Sequence, residues 1–130
     1  MRLWAKQLIP LLPDDQLRGQ YRELNAIASN LASEGTPNHI LVNKILEYPV
    51  DHFYTYAVLI REEMLRRRFQ IKRIPWDTFI CKLKIFCGHD NFTLIDYNML
   101  YDNWMNKEYL IQCICNLHEK YSCGGIELKE

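Results

Sequence analysis

Apolar residues recur along much of this chain at helical spacing. Leu17, Tyr21, Leu24, Ala28 and Leu31 follow one another at intervals of four, three, four and three, which is one face of an α-helix. Pro13, Asp14 and Asp15 suit its start, because proline is tolerated in a first turn and carboxylates there oppose the helix dipole favourably. Glu34-Gly35-Thr36-Pro37 ends it. A short helix over about 38–48 follows, with Ile40, Val42, Ile45 and Leu46 as its apolar residues, and Pro49 breaks it. A stronger helix from about Asp51 to Phe69 carries Phe53, Ala57, Ile60, Met64 and Leu65, closed by Arg66-Arg67-Arg68. Residues 70–100 are harder to read. Thr78–Phe86 alternates as a short strand would, without an evident partner strand. A last helix, about 104–121, carries Met105, Tyr109, Leu110, Cys113 and Leu117, and Gly124-Gly125 stops it. Before the first helix, Leu3, Leu8, Ile9, Leu11 and Leu12 with two prolines predict an extended arm packed across the domain. The expected fold is all-α: one domain over residues 1–130, three to four helices, and a long irregular segment before the last helix.

Composition narrows the class. A chain of 130 residues that is 48% hydrophobic can bury a core without staples. It has no apolar run of about 18 residues, so no transmembrane helix is expected. It also lacks the apolar core and small-residue cleavage site of a signal peptide, which predicts a cytoplasmic protein, or a nuclear or virion-associated one. Five cysteines in such a compartment read as free thiols. Cys81, Cys87 and His89, with Cys113, Cys115 and His118, offer a metal reading, but without a C-x2-C pair no metal or cofactor is expected. Net charge is zero, which argues against a simple nucleic-acid binder. The charge is unevenly spread: residues 1–73 hold 11 Lys/Arg against 8 Asp/Glu, and the remainder holds 5 against 8. A polyanion site therefore belongs in the first half.

The segment from Asp14 to Leu24 carries the candidate chemistry. Arg18, Arg22 and Glu23 sit beside its apolar stripe. A carboxylate flanked by arginines suits an acid/base centre next to a phosphate clamp. On spacing alone, the plainer reading is a solvated i,i+4 charge face. His39 is either a hydrogen-bonded structural residue or a site residue, with Asn43 one turn later able to orient it. Arg66-Arg67-Arg68 is either a solvated helix end or a phosphate-contact patch. Trp4, Trp76 and Trp104 read as packing residues.

The string D-x-x-L-x-x-x-Y-R-E-L, here Asp14 to Leu24, resembles the first helix of the pyrimidine-dimer DNA glycosylases of the phage endonuclease V type. The opening Met-Arg-Leu-Trp, Leu8-Ile9-Pro10, Leu12-Pro13 and Gln16-Leu17 are similar to a small-protein branch of that family. So are His39 with Val42-Asn43 and Pro49, Glu62-Glu63-Met64 through Arg68, Phe69 and Ile71, and more weakly Tyr109, Cys113, Asn116-Leu117 and Lys120. The resemblance implies a DNA-repair glycosylase and AP lyase. In it, the N-terminal amine, here of Met1, attacks the sugar of the damaged nucleotide, forms a Schiff base and nicks the strand by β-elimination. It implies Met1 and Glu23 as catalytic residues, and Arg2, Arg18, Arg22, His39 and Asn43 as DNA contacts. The implied partner is double-stranded DNA with UV photoproducts or abasic sites, bound by a monomer with no membrane association. The alternative is a non-catalytic DNA- or protein-binding module derived from the same family.

Overall fold

The computed structural model describes residues 2–40 and 42–122, the side chains of Tyr121 and Ser122 excepted. The only secondary structure among the described residues is helical, with no strand. Four α-helices follow in order: α1 Asp14–Glu34, α2 Val50–Arg66, α3 Arg73–Cys87 and α4 Lys107–Ser122. Two short 3-10 helices, Lys6–Leu11 and Asn43–Glu47, precede α1 and α2. No helix among the described residues is long and apolar enough to cross a membrane.

The first helix begins as its sequence dictates, with Pro13 at the cap and Asp14 and Asp15 in the first turn. It ends at Gly35, whose φ of 74° is left-handed backbone that glycine adopts at little cost, and whose N–H closes onto the Leu31 carbonyl. Its buried face is Leu17, Gln20, Leu24, Ile27, Ala28 and Leu31. Tyr21, expected on that face, is only half-buried, and Gln20 takes the deeper position. In α2, Phe53, Ala57, Ile60 and Met64 form the expected stripe and are joined by Tyr56. Leu65 instead faces outward.

Two expectations are corrected. The segment read as a strand at Thr78–Phe86 is the body of α3. A strand would have shared one face among Phe79, Cys81, Leu83 and Ile85, yet Cys81 and Ile85 are exposed while Phe79 and Leu83 are fully buried. Phe79, Leu83 and Phe86 recur at four and three, and this helical period prevails because α3 packs its apolar face along α1. The 38–48 helix shrinks to one 3-10 turn at Asn43–Glu47, and of its apolar residues Ile40 and Leu46 are exposed.

The N-terminal arm is packed across the domain as expected, although only residues 2–5 are non-helical before the 3-10 turn begins. Leu3, Trp4, Ala5, Leu8, Ile9 and Leu12 are buried, and Leu11 turns out to solvent. Arg67, the residue that caps the C-terminus of α2, grips the tail of the arm. Its guanidinium donates to the carbonyls of Ile9, Pro10 and Leu12 and pairs with Asp14 at 3.0 Å and Glu63 at 2.7 Å. Residues 88–106 form the irregular segment before the last helix. They run along α2, where Asp51, Thr55 and His52 accept from the backbone N–H groups of Thr93, Ile95 and Tyr101. From there they cover the arm. Lys6 Nζ donates to the carbonyls of Tyr97 and Leu100, and Gln7 to that of Met105.

Candidate functional site

Helix α1 presents Glu23 at the edge of its buried face, one turn beyond Gln20. Gln20 is 1% exposed. Its Oε1 accepts from the Trp4 backbone N–H at 2.8 Å and from the Tyr56 hydroxyl at 2.8 Å. Its Nε2 donates to the Arg2 carbonyl at 2.9 Å and to Glu23 Oε2 at 3.1 Å. The arm and the carboxylate thus meet on one buried amide. Tyr56 has a single hydroxyl proton, shared between Gln20 Oε1 and the nearer Trp4 carbonyl at 2.6 Å. From the far side, the Tyr109 hydroxyl of α4 donates to the Leu3 carbonyl.

Burial pushes the Glu23 carboxyl above the ordinary carboxylate range. A backbone hydrogen bond from Arg2 and the positive charges of Lys120 and Arg22 oppose that rise without cancelling it. A half-buried carboxylate whose pKa is raised by burial, with cations beside it, is suited to taking up and releasing a proton.

The Arg2 guanidinium lies 5.4 Å over the Trp4 ring and beside Tyr109 and Cys113. Burial raises the Cys113 thiol, leaving it a neutral packing group here. Arg2 also walls a cleft of about 370 Å³ with Lys44, Trp104, Tyr109 and Gln112. Trp4 is core, as read from the sequence, whereas Trp104 is buried core that also borders this cleft.

The predicted site residues divide. Glu23 meets the Arg2 main chain and the charge of its neighbour Arg22, while the Arg2 guanidinium turns toward Trp4 and the cleft. Arg22 is exposed, one position before Glu23 on α1. Arg18 stands one turn earlier, paired with Asp15 at 3.5 Å and lying 4.3 Å over the Phe69 ring. His39 and Asn43 flank Ile40 and Lys44, two walls of the cleft. Asn43 Oδ1 accepts from the His39 backbone N–H at 3.2 Å, so Asn43 holds the turn through the main chain. Met1 lies outside the described residues. The Arg66–Arg68 triplet is mostly structural: Arg66 and Arg67 both bind Glu63, and Arg67 anchors the arm. Among the described residues no three potential metal ligands gather.

Gln20, Tyr56 and Lys120 were not singled out as site residues by the sequence. Gln20 left a signal, a polar residue at the i−4 position from Leu24 on an otherwise apolar stripe. Lys120 stood only in the weakest stretch of the family likeness, and Tyr56 left no signal, since its role depends on packing between helices.

A family model described as pyrimidine dimer DNA glycosylase matches residues 1–76. No curated protein and no solved structure matches the chain. The matched span holds the arm, α1 and α2, and with them Arg2, Gln20, Arg22, Glu23 and Tyr56. Since it covers more than half of the 130 residues, this chain belongs to the pyrimidine dimer DNA glycosylase family.

Proposed function

We propose that this protein is a DNA-repair glycosylase and AP lyase that works on double-stranded DNA through its N-terminal amine. The observation that carries the reading is the Gln20 amide bridging the Arg2 carbonyl and the Glu23 carboxylate. Residue 1 is one peptide bond from Arg2, and consecutive Cα atoms are about 3.8 Å apart. The proposed reaction needs the residue 1 amine near Glu23, and the adjoining Arg2 peptide is held there.

The chemistry follows from that pairing. An α-amine titrates near 8, against about 10.4 for a lysine, so much more of it is unprotonated at neutral pH. Its lone pair bonds to C1′ of the damaged nucleotide as the N-glycosidic bond breaks and the base leaves. The sugar ring opens to a Schiff base. Loss of the C2′ proton then expels the 3′ phosphate and nicks the strand. Glu23 carries protons and faces the positive charge that develops at the sugar. Arg2 and Arg22 hold phosphates or the displaced nucleotide, since guanidinium forks match phosphate geometry. His39 and Asn43 contact DNA from the turn beside the cleft, and Arg18 from the next turn of α1. Pyrimidine dimers and abasic sites are the substrates, and one copy of the chain suffices.

The test is borohydride trapping of the untagged protein on a duplex with an abasic site. A covalent adduct is expected from the wild type and its loss from Glu23→Gln. No adduct from either would favour a binding module without catalysis.

A further inference from the structure

Gln20 is one of the few polar residues buried with the core, and it is satisfied entirely by other parts of the site. A glutamine amide offers two acceptor positions and two N–H donors. Here Trp4 N–H and the Tyr56 hydroxyl occupy the oxygen, and the Arg2 carbonyl and Glu23 occupy the nitrogen. The orientation of the amide is not arbitrary. A backbone N–H can only donate, so the oxygen must face Trp4. The Arg2 carbonyl can only accept, so the nitrogen must face Arg2. Rotating the amide by half a turn would set N–H against N–H and oxygen against oxygen, each pair buried. Three separate pieces of chain therefore converge on one side chain of fixed direction: the arm on both sides of Leu3, α2 through Tyr56, and Glu23.

We propose that Gln20 is a positioning residue that sets the register of the N-terminal arm against Glu23 and aims the Glu23 carboxylate. The proposal rests on the reading of the amine and Glu23 given above. It assigns Gln20 no contact with DNA and no step of the reaction. Without its Nε2 donors, the Arg2 peptide and the Glu23 carboxylate lose their shared partner, and the reacting groups drift relative to one another. Small misplacements of reacting groups cost up to about 100-fold in rate.

Two substitutions test this, read in single-turnover cleavage of an abasic duplex across pH, with DNA affinity measured separately. Gln20→Met keeps the volume and removes all four hydrogen bonds. It should slow cleavage by about 10- to 100-fold while binding the same duplex as the wild type does. Gln20→Glu keeps the shape and the acceptors for Trp4 and Tyr56, and sets a second carboxyl against Glu23. Like charges raise a carboxyl pKa, so the acid limb of its pH–rate profile should move to higher pH by about one unit or more. A residue serving only the fold would lower the melting temperature of Gln20→Met and leave its single-turnover rate at saturating duplex in place. Gln20→Glu also preserves the readout if the methionine variant does not fold. Glu23→Gln separates the two claims. If it cleaves normally, the reading of the reaction fails. If it is inactive while Gln20→Glu matches the wild type in rate and acid limb, the positioning role alone is overturned.

Discussion

The Trp4 backbone N–H donates to Gln20 Oε1 at 2.8 Å, joining residues sixteen apart at the point where the N-terminal arm crosses α1. The arm is thereby part of the site's frame, held from α1, from α2 through Tyr56 and Arg67, and from α4 through Tyr109. Three helices converging on a dozen residues is a large investment of structure in the start of a chain. The proposed reaction through the residue 1 amine needs an arm held in this way.

Glu23 should trade stability for activity. Burial raises its carboxyl above the ordinary 4.5, so the folded state holds that proton more tightly than the unfolded state does. Folded stability then falls as pH climbs from the unfolded value through the raised folded one. Glu23→Gln should melt at higher temperature than the wild type at pH 7 and lose that advantage near pH 4. Its glycosylase activity should fall by about 10²- to 10⁴-fold. Thermal melts at the two pH values check the first claim, and a melting temperature lowered at pH 7 would refute it.

The arginines should separate by environment. Arg22→Ala and Arg2→Ala should each reduce the salt dependence of DNA binding by about one phosphate contact. Arg18→Ala should do less, because that guanidinium is already engaged with Asp15 and Phe69. Binding isotherms over a salt series decide the matter. An unchanged slope in Arg22→Ala would assign that residue to the fold alone.

Arg67 should matter to stability far more than its neighbour. Its side chain is 15% exposed and serves two carboxylates and three carbonyls, whereas that of Arg66 is 65% exposed and serves Glu63 alone. Arg67→Ala leaves Glu63 buried and short of a partner, which costs on the order of 3 kcal/mol. Arg66→Ala should cost far less, because solvent screens that pair at its exposed arginine. Hydrogen bonding by these arginines, Arg66 first, holds the Glu63 carboxyl below its ordinary range. Its stabilisation is therefore present at neutral pH and is lost as pH falls below 4.5 through the folded value. Urea titrations of both variants at pH 7 measure the difference, and equal losses would contradict it.

The long periodic helices were legible in the sequence because their signals are local: the stripe from Leu17 to Leu31, the Asp14-Asp15 start and the Gly35 stop. The α3 region misled because Phe79, Cys81, Leu83 and Ile85 satisfy a period of two as well as Phe79, Leu83 and Phe86 satisfy a helical one. Only the packing of α3 on α1 chooses between them. Glu23 and Arg22 were singled out only through the likeness of their surrounding string, since spacing alone fits a solvated face equally well. Gln20 was passed over because its importance lies in four partners, three of them distant in sequence. Arg67 was read within a charged triplet, and nothing local marks it as the member that turns inward.

The central claim is that the amine of residue 1 forms the covalent intermediate, and mass spectrometry of the trapped species tests it most directly. The untagged protein is reduced with borohydride on an abasic duplex, digested, and the modified peptide sequenced. The nearest competitor is Lys6, a buried lysine whose amine burial holds below its ordinary range, which would make it nucleophilic. Its Nζ, however, is committed to the carbonyls of Tyr97 and Leu100, on the loop covering the arm. The account predicts the sugar remnant on the α-amine of Met1. A remnant on Lys6, or on any other lysine, would contradict it.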